Sequence, residues 1–269
     1  ARPDRTGSSG MLGGPGRFRT GIIEQCRYLR SGPCRLAANA RPHRKRARHP
    51  AHTVTITFMS LSVPRQALVT LDVEGVLTPE IWIALAEAFG IDTLRRTTKD
   101  EPDYGLLMKG RINELTAHDL TIHDIQGVIA GLEPLEGARE FLDTLRSEIQ
   151  VVLLSDTFEQ FIGPLMAHLG HPTILCHRLQ IEDSRVVDFT PRVDNQKRCA
   201  VEAFRAMNYG VIAAGDSFND LQMIDAAHHG FLFKAPAAIQ ADRSDLPAFE
   251  TYDDLLGAIR EISASYDPC

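Results

Sequence analysis

The chain has 269 residues, of which 43% are hydrophobic, and its formal net charge is -6. The five cysteines form no CxxC pair, which argues against a disulfide framework or a zinc site and favours a reducing compartment. No apolar run approaches the ~20 residues that a membrane span needs, and no signal-peptide pattern is present, so we expect no membrane association.

The charge is unevenly distributed along the chain. Residues 1–50 contain eleven arginines and one lysine but only two acidic residues, whereas the remainder is strongly acidic. Gly, Pro, Ser and Arg dominate this N-terminal part, so we predict a disordered basic extension over residues 1–58. We interpret it as a solvated tail, or as upstream sequence before a true start at Met59. The alternatives are a transit peptide and a nucleic-acid-binding segment at 41–50.

The predicted elements begin with a short apolar run. Residues 67–71, ALVTL, are typical of a buried strand. A helical pattern follows over 79–90, with Pro79 expected in its first turn and Gly90 at its end. Residues 95–132 are predicted to be mostly helical.

Helices and strands alternate from Pro134 onward. The predicted helices cover 137–148, 158–170, 196–208, 218–228 and 251–266, and the predicted strands cover 151–155, 211–215 and 230–235, with a strand and hairpin in 173–192. This alternation predicts an α/β fold with a Rossmann-like parallel sheet covered by helices on both faces. The helical block after the first strand interrupts the alternation and is predicted to be an inserted cap. The predicted domains are a core of 66–78 and 134–269 and a small helical cap of 79–133.

Polar residues follow three of the predicted strands where each strand ends. They are Asp72 and Glu74 after the first strand, Ser155 and Asp156 after the second, and Asp216 and Asp220 after the third. In an open parallel sheet the ligand crevice lies at the carboxyl ends of the strands, so these clusters should converge on one site. An acidic residue after a strand is often only a helix cap, but three such clusters together favour a site.

The residue types at these strand ends indicate phosphoryl transfer. Several carboxylates in one crevice would repel one another unless a cation were bound, and oxygen ligands favour Mg²⁺. Lys197 could neutralise the remaining charge, and Ser155 could donate to phosphate oxygens together with backbone N–H groups of a following helix. A carboxylate can attack phosphorus and form an aspartyl-phosphate. Glu74 could then serve as the general acid and base.

These residues resemble the four motifs of the haloacid dehalogenase superfamily, in the expected order. The motifs are DVEGV at 72–76, Ser155, Lys197 and GDSFND at 215–220. The ordered set is a strong signal, although each motif alone is weak. Longer stretches, such as DYGLLMKGRINEL and VVLLSDTFEQF, resemble the phosphoserine phosphatase group. They are most similar to its bacterial members described as bifunctional phosphoserine phosphatase/homoserine phosphotransferase, over residues 66–260.

The resemblance implies a role for each site residue. It implies Asp72 as nucleophile, Glu74 as acid/base, and Ser155 and Lys197 as holders of the phosphoryl group. Mg²⁺ would be held by Asp72, Asp216 and the backbone carbonyl of Glu74. Asp220 and Asn219 would support these metal ligands, and Asn219 would also contact the substrate. Glu80 would meet the amino group of the substrate and Arg111 its carboxylate. By its position alone, Arg111 would be interpreted as a solvated helix residue.

Two departures from the family pattern bear on the substrate. Glu74 stands where typical family phosphatases have Asp, although the most similar branch resembles the Glu form. Asp156-Thr157 follows Ser155, where many phosphoserine phosphatases have two glycines that allow close backbone approach to a ligand.

We therefore predict hydrolysis of O-phospho-L-serine, the last step of serine biosynthesis, in the cytoplasm. The alternatives are phosphotransfer to homoserine, hydrolysis of another small phosphate ester, and nucleic-acid binding through residues 41–50. The acidic body of the chain and the full set of catalytic residues argue against a purely nucleic-acid-binding role. A homodimer is compatible with the sequence.

Overall fold

The computed structural model describes residues 65–97, 100–101 and 103–266. The predicted basic extension 1–58 lies outside the described residues. In the part that is described, the strands are β1 (Ala67–Leu71), β2 (Gln150–Phe158), β3 (Ile174–Glu182), β4 (Arg185–Thr190), β5 (Gly210–Gly215), β6 (His229–Phe233) and β7 (Ala248–Phe249). The α-helices are α1 (Ile81–Phe89), α2 (Tyr104–Ala117), α3 (Ile122–Ala130), α4 (Ala138–Glu148), α5 (Glu159–Ile162), α6 (Gln196–Ala206), α7 (Leu221–Ala226), α8 (Ala237–Asp242) and α9 (Tyr252–Tyr266).

The strands form one sheet in the order β4-β3-β2-β1-β5-β6-β7. All neighbouring strands are parallel except β3 and β4, which form the predicted antiparallel hairpin. Strand β1 lies at the centre, and all five of its residues are buried. Leu71, its last residue, is paired with Leu153 of β2 and Ala214 of β5. The residues that follow these three positions are therefore brought to the same edge of the sheet.

Helices cover both faces of the sheet, as predicted. Val69 and Ile212 belong to a large apolar cluster on one face, together with residues of α1, α3, α4 and α9. Their neighbours Leu68 and Val211 belong to a second cluster, on the other face, with residues of α6, α7 and α8. Alternate residues of a strand point to opposite faces, so this division follows from the strand geometry. The predicted Rossmann-like α/β fold is confirmed.

The first helix begins later than predicted. Its first residue is Ile81, so Pro79 precedes the helix and the prediction that it lies in the first turn is wrong. The start is set by a tertiary contact, because the Ile81 N–H donates to the Glu74 carboxylate at 3.1 Å. The helix ends as predicted at Gly90, which has a left-handed φ of 68° and carries no side chain that would oppose it.

Two further predictions differ from the structure. Strand β2 continues to Phe158 instead of ending at Ser155. The long helix predicted over 158–170 is reduced to α5 and a 3₁₀ turn at Gly163–Leu165, because Pro164 lacks the N–H that a continuing helix would use. Helix α8 and strand β7 were not predicted.

Among the residues described, no helix combines the length and apolar character that crossing a membrane requires.

Candidate active site

One cavity of about 340 Å³ contains eight of the nine predicted site residues. These are Asp72, Glu74, Glu80, Arg111, Ser155, Lys197, Asp216 and Asn219. The ninth, Asp220, is fully buried directly behind the cavity and contacts Lys197. The convergence expected from the strand ends is therefore present.

Three carboxylates form the centre of the site. Asp72, Asp216 and Asp220 each offer an oxygen within 4.8 Å of the others. Two glycines allow this close approach. A Cβ on Gly75 would lie 2.4 Å from an oxygen of Asp216, and a Cβ on Gly215 would lie 2.4 Å from the Asp220 side chain.

Lys197 joins two of these carboxylates. Its Nζ donates to Asp72 Oδ1 at 2.8 Å and to Asp220 Oδ1 at 2.7 Å. Lys197 lies in the first turn of α6 and is buried. The helix therefore places the ammonium at the edge of the sheet, and the aliphatic part of the lysine side chain is out of water. Burial by itself would lower the pKa of Lys197, but Asp220 and Asp72 outweigh burial and raise that pKa well above its usual range. The lysine is therefore a permanent positive charge in the cavity.

The remaining carboxylate oxygens fit a divalent cation. Asp220 is saturated, because its Oδ2 accepts from the Asp216 N–H, the Ser217 N–H and the Ser217 hydroxyl while Oδ1 accepts from Lys197. Asp216 Oδ1, in contrast, is buried without a hydrogen-bond partner among the described residues. Burial, and then the charge of Asp220, raises the pKa of Asp216 to about 7. An orphaned buried oxygen among crowded carboxylates is the environment that a hard cation such as Mg²⁺ would stabilise.

Glu74 is held beside this centre in a form suited to proton transfer. Its Oε2 accepts from the Ile81 N–H, the contact that fixes the start of α1. Burial, and then the negative charge of Glu80, raises the pKa of Glu74 to about 8. A carboxyl group with such a pKa keeps its proton near neutral pH and can donate it to a leaving group.

Arg111 and Glu80 place opposite charges in the same cavity. Arg111 is only 9% exposed, so the interpretation as a solvated helix residue is wrong. Its guanidinium stacks 4.5 Å above the Trp82 ring, its Nη2 donates to the Arg96 carbonyl at 2.8 Å, and its Nε has no partner within the described part of the chain. A buried guanidinium with an unused donor is suited to a carboxylate ligand.

The surroundings of Ser155 differ from the expectation. The side chain is buried at the cavity, but the strand continues beyond it, so no helix N-terminus follows directly. The prediction of helical N–H donors next to Ser155 is therefore wrong. Instead, the Thr157 N–H points back to the Ser155 hydroxyl at 3.2 Å, within an irregular stretch of the β2–β3 pairing between Leu154 and Phe158.

Three further residues contribute to the site. From the sequence, Asp156 was expected among the polar residues at this edge of the sheet but was given no role, and His177 and Tyr104 were not singled out. Asp156 lines the cavity with its Oδ2 3.7 Å from Lys197 Nζ, His177 lies 3.5 Å from Asp156 Oδ1, and Tyr104 donates to the Asp156 carbonyl at 2.9 Å. Burial raises the pKa of Asp156, but Lys197 and then His177 outweigh it and lower that pKa to about 2. The position of Asp156 directly after Ser155 was the only local signal, since His177 and Tyr104 arrive from other elements.

Comparison with known proteins agrees with this geometry. Residues 106–225 match the family model of the haloacid dehalogenase-like hydrolases. The chain is 56% identical over 186 residues to phosphoserine phosphatase ThrH of Pseudomonas aeruginosa, covering 69% of this chain and 91% of that protein. It is 53% identical over 186 residues to a phosphoserine phosphatase of Pseudomonas syringae pv. tomato, covering 69% of this chain and 78% of that protein.

Solved structures agree on the fold. A substrate-bound phosphoserine phosphatase complex superposes with a TM-score of 0.60 at 20% identity, covering 76% of this chain and 99% of that chain. A phospho-aspartyl intermediate analogue of phosphoserine phosphatase gives a TM-score of 0.59 at 20% identity, covering 70% of this chain and 94% of that chain. The ordered motifs, the fold and the identity to these relatives lead to one conclusion: the chain belongs to the haloacid dehalogenase-like hydrolases, in their phosphoserine phosphatase group.

Proposed function

We propose that the protein is a Mg²⁺-dependent phosphatase that hydrolyses O-phospho-L-serine to L-serine and inorganic phosphate. The observation that carries the proposal is the position of Lys197, which lies within hydrogen-bond distance of Asp72 and Asp220 in a buried carboxylate cluster. The same cavity holds Arg111 and Glu80, whose charges complement the carboxylate and the ammonium of an amino acid. Relatives named as phosphoserine phosphatases support the choice of substrate.

The first chemical step is attack by Asp72. A carboxylate oxygen of Asp72 forms a bond to phosphorus while the bond from phosphorus to the serine oxygen breaks, which leaves an aspartyl-phosphate. Glu74 gives its proton to the departing serine oxygen. In the second step, Glu74 takes a proton from water, and the water oxygen displaces Asp72 from phosphorus. Inorganic phosphate is released and both carboxyl groups return to their starting states.

The positive charges of the site stabilise the phosphoryl group during both steps. Lys197 and the Ser155 hydroxyl would hold its oxygens, and the ammonium offsets their negative charge in a water-poor environment. Mg²⁺ would be held by Asp72, Asp216 and the backbone carbonyl of Glu74, and when bound it supplies charge neutralisation at a phosphoryl oxygen. Asp220 and Asn219 would stand behind these ligands, with Asn219 also near the substrate.

The helical segment supplies the part of the site that recognises the amino acid. We propose that residues 79–133 act as a cap on a core formed by 66–78 and 134–269. Trp82, on α1, and Arg111, on α2, both line the cavity and stack on each other, so the segment presents a formed surface to the substrate. For cellular context, we propose a role in serine biosynthesis in the cytoplasm, with a homodimer as the candidate assembly.

The direct test is phosphate release from O-phospho-L-serine with Mg²⁺ and then with EDTA. We expect release that stops when EDTA removes the cation and resumes when Mg²⁺ is restored. Asp72→Asn should lower kcat at least ~10³-fold, because the nucleophile is lost while the shape of the side chain is kept. Asp242→Asn, a change of the same kind at an exposed residue of α8, is the matched control and should leave the rate unchanged. Near-normal turnover by Asp72→Asn, or release that ignores EDTA, would contradict the proposal.

A second prediction concerns substrate recognition by Arg111. Arg111→Met keeps the apolar stem against Trp82 but removes the charge, so KM for O-phospho-L-serine should rise about 10- to 100-fold. Turnover of p-nitrophenyl phosphate, which has no carboxylate, should change by less than about twofold. Arg95→Met removes an exposed arginine from the same segment and serves as the control. Equal losses on both substrates would show that Arg111 does not recognise the carboxylate.

Phosphotransfer to homoserine is the second candidate, and one observation favours it. A cavity of about 650 Å³ adjoins the first and shares Tyr104, Asp156, Lys197 and Asn219 with it. It leaves room for an alcohol beside the phosphoryl site. Adding homoserine to the O-phospho-L-serine reaction should then yield phosphohomoserine, detectable by ³¹P NMR. Saturating homoserine without that product would remove this candidate.

A further inference from the structure

Asp156 is an unexpected group to find beside a phosphate-binding cavity. Its low pKa means that it stays ionised throughout the neutral range, and a further negative charge at a site that already holds three carboxylates repels a phosphoryl group. The carboxylate also takes no part in the two chemical steps proposed for Asp72 and Glu74. Its presence therefore needs another physical explanation.

The contacts of Asp156 connect it to Lys197 on one side and His177 on the other. Oδ2 lies 3.7 Å from Lys197 Nζ, and Oδ1 lies 3.5 Å from His177 Nε2. The backbone of this residue is fixed as well, because the Tyr104 hydroxyl donates to the Asp156 carbonyl at 2.9 Å. Residues of β3 and α6 thus contact the carboxylate, and a residue of α2 holds the backbone behind it.

The orientation of His177 is set by the backbone behind it. The Arg192 N–H donates to His177 Nδ1 at 3.2 Å, so Nδ1 is the acceptor and Nε2 carries the ring proton. This assignment directs the Nε2–H toward Asp156. The ring is 5% exposed and lies between the aromatic rings of Tyr104 and Phe158, at centroid distances of 6.2 and 6.3 Å, so its rotation is restricted.

We propose that His177 and Asp156 are positioning residues that keep the Lys197 ammonium directed at the phosphoryl group. The inference rests on the proposed function, in which Asp72 becomes phosphorylated. When Asp72 bonds to phosphorus, its oxygen no longer carries the charge that directs Lys197, and the ammonium turns toward the anionic oxygens of the phosphoryl group. Asp156 is the third anion within reach of the ammonium, and it keeps Lys197 from swinging toward Asp220 alone. His177 keeps Asp156 in the orientation that this requires.

Variants at His177 and Asp156 separate this role from simple packing. His177→Phe keeps an aromatic ring but loses the N–H that faces Asp156, whereas His177→Gln keeps an N–H donor of similar reach and loses the Nδ1 acceptor. We expect His177→Phe to lower kcat about 10- to 100-fold with KM changed by less than about threefold, and His177→Gln to recover most of the loss. The loss should be equal for O-phospho-L-serine and p-nitrophenyl phosphate, because both carry the same phosphoryl group.

The double variant tests whether His177 acts through Asp156. In an Asp156→Asn background, His177→Phe should cause little further loss, since the partner that it orients has already lost its charge. Melting temperatures of all variants are measured alongside the rates, and His118→Phe, at an exposed histidine of the segment after α2, is the control.

Three results would overturn the inference. The first is a His177→Phe rate equal to that of the wild type. The second is a loss that is fully additive with that of Asp156→Asn. The third is a loss that follows the melting temperature and is not recovered by His177→Gln. If the wild type hydrolyses p-nitrophenyl phosphate but not O-phospho-L-serine, the proposed function fails, while the same variants on p-nitrophenyl phosphate still decide the positioning role.

Discussion

The contact of one buried ammonium with a cluster of buried carboxylates is the interaction on which the site depends. Lys197 Nζ lies 2.8 Å from Asp72 and 2.7 Å from Asp220, and all three side chains are nearly inaccessible to water. Removing the ammonium would leave the buried carboxylates without a compensating charge, and breaking a buried ion pair in this way typically costs about 3–5 kcal/mol. The arrangement therefore requires that α6, β1 and β5 keep their relative positions, and the residues proposed to act in catalysis share that requirement.

The sheet provides those positions. Leu71, Leu153 and Ala214 are in register across β1, β2 and β5, so the residues that follow them meet at one edge. Both faces of the sheet are covered by apolar clusters, which hold the strands in place. The carboxyl ends of the strands are left as the place where a ligand can enter. The charges at the edge, with carboxylates around Lys197 and with Arg111 in the same cavity, then favour an anionic substrate with a cation beside it.

Sequence reasoning succeeded where the information was local. Asp72 and Asp216 stand directly after buried strands, and Ser155 stands after the apolar run of β2, although that strand continues to Phe158. The pairing of the three strands is sufficient to bring these residues together. It failed where burial is decided by a distant element. Arg111 is a charged helix residue, and its burial depends on contacts with other parts of the chain, among them the Trp82 ring of α1 and the Arg96 carbonyl.

The remaining differences have similar causes. His177 reaches the site through the irregular pairing of β2 with β3, which no local pattern encodes. The start of α1 depends on the Glu74 carboxylate, not on Pro79, and the helix after β2 is cut short at Pro164. These helix boundaries are set by a tertiary contact of one backbone N–H in α1 and by the missing N–H of Pro164 after β2. The number and order of the main helices and strands, in contrast, follow from the periodicity of the hydrophobic residues in the sequence.

The most direct measurement is the identification of the residue that becomes phosphorylated. The protein is mixed with O-phospho-L-serine and Mg²⁺, quenched in acid during turnover, and treated with borohydride, which reduces an acyl phosphate to a primary alcohol and leaves a stable change in mass. Peptide mass spectrometry should place that change on Asp72. A phosphate on Ser155, or turnover without any modification of Asp72, would contradict the account.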